Sequence, residues 1–475
     1  MNIPFVDIFA GPGGLNEGFA SLEDDLGRKV FKSNLAAEMD KNAVSTLRLR
    51  KFFRNCIDEN LHTSYLEYLH AGRSQPFDDQ NKELWAEAEK DVRQITLGND
   101  KGNRTFDKLI VDAKLQKDHW VLLGGPPCQA YSNIRRWTYR TEQGHDLSAD
   151  HRAHLYKEYL RILTGFGPSV FVMENVKGIL SSSFFERIIS DLESVRYNGF
   201  HYNIYSLVDK KDLFSRASDY VVKSELYGIP QARHRVILVG VRSDINISPS
   251  TLDQTDYQTT VHDAISDLPK LRSGFSKTSN TDEDWFSFMK SNLGKISTDY
   301  GLPYHSAIKL KQTSNDFKVI KKNNEFYDFI TKNSLETITN HETRGHLEGD
   351  VMRYAFSALY AEKNYISPQT SDFPKSLKAN HKNWETNKFT DRFRVQISNK
   401  PGSTITSHIS KDGHAYIHYD PVQARSLTVR EAARIQTFPD NYHFEGPRTD
   451  QYKQVGNAVP PLLARKIAKI IAELF

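Results

Sequence analysis

Only two cysteines occur in this chain of 475 residues, and one sits where a thiol would be presented. The apolar run Trp120-Val121-Leu122-Leu123 leads into Gly124-Gly125-Pro126-Pro127-Cys128-Gln129. The run reads as a buried strand, and two successive prolines fix φ and remove backbone donors, so they set the direction in which Cys128 points. The glycines ahead of them leave room for a ligand at the backbone. A thiol held this way suits nucleophilic addition. The same residues would also make a tight turn around an inert, buried cysteine.

Three other groups of residues could join that chemistry. Met173-Glu174-Asn175-Val176 ends an apolar run, and an acid at the carboxyl edge of a parallel sheet faces the ligand crevice, where it can donate a proton. In Gln231-Ala232-Arg233-His234-Arg235, strand alternation puts Gln231, Arg233 and Arg235 on one face. Two guanidiniums there suit a phosphate or a carbonyl oxygen. Asp7-Ile8-Phe9-Ala10-Gly11-Pro12-Gly13-Gly14 is a glycine turn after a strand, but it matches neither the dinucleotide nor the nucleotide-triphosphate spacing. Glu38, at the end of the next apolar run, is placed to accept from both hydroxyls of a ribose. Together they favour a nucleoside cofactor without a pyrophosphate, such as S-adenosylmethionine.

The elements that must position these residues alternate. Strand-like runs at 4–9, 34–38, 120–123, 169–173 and 235–240 are interleaved with helical patterns at 16–26, 41–47 and 156–163. This predicts an α/β fold with a mostly parallel sheet and helices on both faces. Residues 56–118 are polar and read as an insertion, with a helical stretch around Lys82 to Ile95. From 246 the rhythm stops, and a smaller domain of irregular α+β or mostly β character is expected. Regularity returns at Ala424–Ile435 and in a last helix from Pro461. The net charge of +4 permits nucleic-acid binding without arguing for it. Cys56 and Cys128 form no disulfide framework and no zinc spacing, so no metal is expected, and a reducing cytosol is. Neither a secretory signal nor a membrane-length apolar run is recognisable.

The order of the motifs is more specific than any one of them. Asp-x-Phe-x-Gly-x-Gly, Gly-Pro-Pro-Cys-Gln, Glu-Asn-Val, Gln-x-Arg-x-Arg, Arg-Glu-x-Ala-Arg-x-Gln-x-Phe-Pro and Gly-Asn-x-Val follow one another along residues 3–245 and 400–475. In that order they resemble the DNA cytosine-5 methyltransferases of bacterial restriction–modification systems. The resemblance implies a Rossmann-like S-adenosylmethionine-dependent sheet with an added target-recognition domain. The expected division is a catalytic domain over 1–245, recognition over 246–415 and a return to the catalytic domain over 416–475.

By the same resemblance Cys128 adds to C6 of a cytosine flipped out of duplex DNA, Glu174 serves N3, and Arg235 faces O2 with Arg233 beside it. Phe9 would pack on adenine, with Gly11 and Gly13 at the cofactor's backbone approach. Glu38 would hold the ribose, with Met39, Pro126 and Leu155 as further contacts and Asn457 and Val459 at the methionine end. Asp91, Asp107 and Asp112 are open candidates for the acid that reads adenine N6. Arg135, Arg136 and Arg140 would close a loop over DNA, and Gln231, Lys378, Arg392 and Arg394 would also meet it. The implied partner is double-stranded DNA, alongside a cognate endonuclease of the same site that need not touch this chain. A monomer in the bacterial cytosol is expected. The alternatives are an RNA cytosine-5 methyltransferase, which usually carries a second active-site cysteine, and an inactive DNA-binding regulator. Cys56 lies in no comparable motif, and the set Cys128, Glu174 and Arg235 weighs against an inactive protein.

Overall fold

Ile3–Ile8 is apolar but for Asp7, and it forms the central strand β1 of an eight-stranded sheet. The computed structural model describes residues 2–475 except 116–118, 128–154, 182–183, 209–215, 315–316, 318–323, 336, 380–383 and 385–389. The remaining strands of the first part of the chain are β2 (Phe31–Glu38), β3 (Val92–Gln94), β4 (Val121–Gly124), β5 (Val170–Val176), β6 (Tyr202–Tyr205), β7 (Val221–Lys223), β8 (Gln231–Ala232) and β9 (His234–Arg242). The sheet runs β3-β2-β1-β4-β5-β9-β6, with β7 also on β9. It is parallel from β3 to β5, and β9 pairs antiparallel with β5, β6 and β7. The expected parallel sheet therefore holds for five strands, and the last apolar run enters it reversed.

Helices cover both faces because β1 alternates. Phe5 packs its ring on Phe19 of the helix Gly14–Ala20, at 5.9 Å between centroids. Val6 and Ile8 join the opposite core with Phe106, Tyr159, Ile162 and Leu192, contributed by the helices Asp100–Asp112, Tyr156–Phe166 and Phe184–Ser194. The helix Gly14–Ala20 is buried along its whole length, in contact with the last helix, Pro461–Ala472. Two glycines allow this approach. A β-carbon on Gly18 would lie 2.3 Å from that of Ala464, and one on Gly14 would lie 2.1 Å from the Val459 carbonyl oxygen.

The stretch 56–118 is more than an insertion, since it supplies β3. The helix Lys82–Asp91 stops at Val92, whose backbone is extended, and Val92–Gln94 pairs in parallel with Ala36–Glu38. The helical stretch expected to reach Ile95 thus ends four residues earlier. A three-residue strand is too short to show a period, whereas the helix before it is amphipathic.

The chain folds as two compact units: residues 1–227, 234–254 and 458–475 form the first, and residues 228–233 and 255–457 the second. Of the two expected characters, α+β or mostly β, the second unit takes the first: its regular structure is more helical than β, and its described strands are two residues long. Thr281 and Asp284 close a reciprocal cap on the helix Asp282–Asp299, which buries Trp285, Met289, Leu293 and Ile296. These pack with Val351, Tyr354, Ala355 and Leu359 of the helix Glu348–Asn364. No helix among the described residues is long and apolar enough to cross a membrane.

The contact between the first and last helices is testable. Gly18→Ala must displace backbone, and overpacking of this kind costs about 1–3 kcal/mol, so a clear fall in melting temperature is expected. Gly165→Ala, on the exposed side of Tyr156–Phe166 with nothing within 4 Å, should leave the melting temperature unchanged or raise it.

Candidate functional site

Parallel strands deliver their carboxyl ends to one edge, so the turns after β1, β2, β4 and β5 belong to one crevice. The turn after β1 enters the left-handed region at Phe9, Gly11 and Gly13, with φ of 53°, 56° and 93°. Its shape is fixed by the carboxylate of Glu38. Oε2 accepts from the Gly11 N–H at 2.8 Å, and Oε1 accepts from the Met39 and Asp40 N–H groups, both at 2.8 Å. Burial raises the pKa of Glu38 against the opposing pull of those amides. A carboxylate offers about four lone-pair sites and three are taken, so one hydroxyl donor still finds an acceptor on Oε2.

Above this clamp the turn is open. A β-carbon on Gly11 would meet nothing within 4 Å, and the Met39 side chain is 58% exposed beside it. The residues present therefore fit a nucleoside: an open glycine backbone, a fixed carboxylate and a bare thioether. Val459, at the start of the returning C-terminal segment, is buried against Gly14. Leu155 is buried at the N-terminus of the helix Tyr156–Phe166, and Asn457 is exposed at the end of Arg448–Asn457 in the second unit.

Asp7 is a feature that periodicity overlooks. It is 0% exposed, and among the described residues neither carboxyl oxygen has a hydrogen bond of ordinary geometry, although Asn16 is close by. Burial, and then the neighbouring charge of Glu38, push its pKa up to about 8. An acid inside an otherwise apolar strand is the signal available in the sequence.

On the other side of β1, β4 ends in two glycines without room for side chains. A β-carbon on Gly124 would lie 2.3 Å from the Ile8 carbonyl oxygen, and one on Gly125 would lie 2.9 Å from Glu174 Oε2. The Asn175 amide donates to the Pro126 carbonyl at 3.4 Å, a long contact, and its own oxygen accepts from the Val176 N–H at 2.9 Å. Arg235, in register with Val176 on the neighbouring strand, places Nε 2.9 Å from Glu174 Oε1. Both side chains of this pair are 13% exposed, so the ion pair is charge-assisted and poorly screened. Next in the chain, His234 Nε2 contacts Glu225 at 2.8 Å. Cys128, Arg135, Arg136 and Arg140 lie outside the described residues. Pro126 and Pro127, which precede the cysteine, are within them.

The shared face expected for Gln231, Arg233 and Arg235 does not form. The Arg233 N–H donates to the Gln231 carbonyl at 3.0 Å, a three-residue turn that breaks the strand between β8 and β9. Gln231, expected to meet DNA, is fully buried, donating to the Ile435 carbonyl and to Gln436 and accepting from the Ile405 N–H. Arg233 is 2% exposed and donates to the carbonyls of Ile405 at 2.7 Å and Gly456 at 3.1 Å. It holds backbone, and Arg235 alone of the two arginines meets Glu174.

The three acids left open for adenine N6 are engaged elsewhere or sit at a helix end. Asp91 pairs with Lys51 at 3.1 Å and Asp107 with Arg161 at 2.6 Å, and Asp112 ends its helix. None of these is the register mate of Glu38, which is Gln94. Gln94 donates to the Met39 carbonyl at 3.0 Å, a position hidden in the sequence because β3 is. In the second unit Lys378 is exposed, Arg392 pairs with Asp412 at 3.3 Å and Arg394 with Asp391. No group of His, Cys, Asp and Glu among the described residues is arranged to hold a metal ion.

The Asp7 environment has a definite sign. Between the unfolded pKa near 4 and the folded value of about 8, only the folded state keeps the proton, so stability falls as pH rises through that window. Asp7→Asn removes this slope of about 1.4 kcal/mol per pH unit. Relative to the parent, the variant should gain stability between pH 5 and pH 8, as read from urea midpoints. Parallel pH profiles for the two proteins would refute the buried, protonated acid.

Residues 79–473 match the model of the C-5 cytosine-specific DNA methylases. The type II methyltransferase M.Bpa9945I of Bacillus paralicheniformis is 32% identical over 494 residues, covering 99% of this chain and 98% of that protein. M.DdeI of Desulfomicrobium norvegicum is 27% identical, over 100% of this chain and 89% of its own length. M1.HphI of Haemophilus parahaemolyticus is 25% identical, over 100% and 88%. With this match and these relatives, and with strand-end acids, a glycine turn and Gly125-Pro126-Pro127 on one Rossmann-like sheet, this chain belongs to the C-5 cytosine-specific DNA methylase family.

Proposed function

We propose that this DNA cytosine-5 methyltransferase is the modification enzyme of a type II restriction–modification system. In this reading it acts on one cytosine of a specific duplex sequence through a covalent adduct with Cys128. The observation that carries the reading is the Glu174 carboxyl, locked by Arg235 and seated against Gly125 at the head of the Gly-Pro-Pro-Cys turn.

C5 of neutral cytosine is a weak nucleophile. The Cys128 thiolate forms a bond to C6, and the C5=C6 electrons shift toward C5 and the N3–C2–O2 system. Glu174 delivers a proton or hydrogen bond to N3, and the Arg235 guanidinium faces O2, so negative charge building on the ring is met where it develops. S-adenosylmethionine, when bound, supplies the methyl group that C5 takes up. Phe9, Gly11, Gly13, Glu38, Met39, Pro126, Leu155 and Val459 are the residues proposed to hold it. A base then removes the C5 proton, the double bond re-forms, and the Cys128 thiolate leaves. The base must leave the stack to reach the thiol, at a cost of a few kcal/mol.

The second unit is proposed to supply sequence recognition, with Lys378, Arg392 and Arg394 toward phosphate. Exposed ion pairs such as Arg392–Asp412 contribute little, so exchanging the acid for a phosphate oxygen costs little.

The test uses tritiated S-adenosylmethionine with duplex DNA or RNA, and a duplex carrying 5-fluorocytosine. The C5–F bond cannot be deprotonated, so an adduct persists through denaturing electrophoresis. The parent should label DNA and form the trapped band. Cys128→Ser should lose both while keeping cofactor binding, and Glu174→Gln should slow transfer by about 10²-fold or more. Turnover by Cys128→Ser, or label in RNA alone, would overturn the proposal. Resistance of methylated DNA to an endonuclease cutting at the labelled site tests the biological role.

A further inference from the structure

The second unit contains a cavity of about 520 Å³ that the methyl-transfer chemistry does not use. Its lining residues all fall between His262 and Glu431, within that unit. The volume lies in the range of small-molecule sites, about 300–1,000 Å³. Four features of the wall restrict what it accepts.

The first is a buried donor. The His418 side chain is 3% exposed, and its Nδ1 accepts from the Asp420 N–H at 3.0 Å. Its proton is therefore on Nε2. Burial pushes the histidine pKa down to about 4, so the ring is neutral with this one N–H. Nε2 is 3.6 Å from Glu431 Oε1, beyond hydrogen-bond reach, and both Glu431 oxygens already accept from Arg425 at 2.6 and 2.7 Å. Among the described residues the donor has no acceptor. Second, Tyr419 stacks on that histidine, at 4.6 Å between centroids and 29° between planes, with the His262 ring 6.1 Å from it. This wall suits a flat guest.

Third, Glu362 stands among the lining residues with Oε2 held by His305 at 2.9 Å, and among the described residues Oε1 has no partner. That oxygen is left to accept from a donor of a guest, such as an amino group. Fourth, the charge is wrong for phosphate. Glu362, Asp420 and Glu431 line the cavity, and its one lysine, Lys270, is paired with Asp420 at 2.9 Å.

We infer that this cavity binds a nucleobase or nucleoside, a planar heterocycle offering an acceptor to His418 Nε2–H and an amino group to Glu362. Such a ring arrives either as a free nucleoside or as an unstacked base of a nucleic-acid strand.

Calorimetry on the full chain tests this, with S-adenosylhomocysteine saturating so that the cofactor turn takes no nucleoside. Guanosine should bind with one-to-one stoichiometry. Inosine, which lacks the amino group, and guanosine monophosphate should each bind about tenfold more weakly or worse. His418→Phe keeps the ring stack and deletes the donor, and Glu362→Gln alters only an exposed side chain. Each should weaken guanosine by about tenfold at an unchanged circular dichroism spectrum. Cys128→Ser should bind guanosine as the parent does, which separates this site from the proposed transfer chemistry. A single-stranded oligothymidylate carrying one guanine, or an abasic site in its place, distinguishes the sources. Guanine-dependent binding lost in His418→Phe identifies a base on a strand, and guanosine binding without it identifies a free nucleoside. If neither guanosine nor the guanine strand shows a component that depends on His418, the inference is wrong.

Discussion

The carboxyl edge of the sheet depends on a steric constraint: β4 ends where there is no space for a side chain. Ile8, Gly124 and Met173 are consecutive partners across three parallel strands. The Ile8 carbonyl fills the position of a β-carbon on Gly124, and Glu174 Oε2 sits 2.9 Å from that of Gly125. Any larger residue at Gly124 would part β4 from β1, and at Gly125 it would turn the Glu174 carboxyl away. With the strands this close, the Asn175 amide reaches the Pro126 carbonyl, and the turn leading to Cys128 hangs from the end of β5. Proline rigidity then acts on a turn whose origin is already fixed, and its direction is inherited from the sheet.

The second unit is organised by buried guanidiniums. The helix Val429–Ile435 has seven residues, too few to persist alone, and all seven are buried. Arg425 pairs with Glu431 through two bonds, with side chains 0% and 1% exposed. Arg434 pairs with Asp440 and Asp267, and Arg430 donates to the carbonyls of Thr339, Pro439 and Tyr442. These bonds tie the short helix to segments more than 90 residues away in sequence. Removing one partner from such a pair leaves a buried charge and costs about 3–5 kcal/mol. The Arg-Glu-x-Ala-Arg pattern is thus a framework device, although its residue types alone would suit a phosphate.

What can be read from the sequence follows the length scale of each signal. The runs that form β1, β2, β4 and β5 are legible because each is apolar and bounded by glycine or a strand-end acid, and Glu38 and Glu174 come with them. β3 is not, since three residues carry no period and follow a charged helix directly. The long helices of the second unit are hidden by composition: Asp282–Asp299 carries its buried apolar residues at 285, 289, 293 and 296 among serine, lysine and aspartate. Alternation misleads at Gln231-Ala232-Arg233 because it assumes an unbroken strand, and the three-residue turn at Arg233 ends that assumption. Asp7 belongs to a recognisable motif, but the motif does not mark it as a buried acid. Burial is a property of the packed sheet and not of residue spacing.

The two strand-end acids show how one sheet edge supports two chemistries. Glu38 receives backbone N–H groups on both oxygens, so it is held as an acceptor, and a proton on either oxygen would oppose one of those bonds. Its fixed role suits hydroxyl donors that never change protonation. Glu174 is held from one side only. Oε1 faces Arg235 Nε at 2.9 Å, and Oε2 looks onto Gly125, which has no side chain to compete. A carboxyl anchored by one oxygen keeps its position while the other stays open to a guest, which suits the role proposed for Glu174 at a ring nitrogen. The difference follows from the strands beside them. At the end of β2, backbone N–H groups of the β1 turn and of its own turn converge on the carboxylate. β5 ends next to the reversed strand β9, whose antiparallel register brings an arginine side chain level with the end of β5. Reversal of that one strand therefore separates the acid proposed to bind from the acid proposed to react.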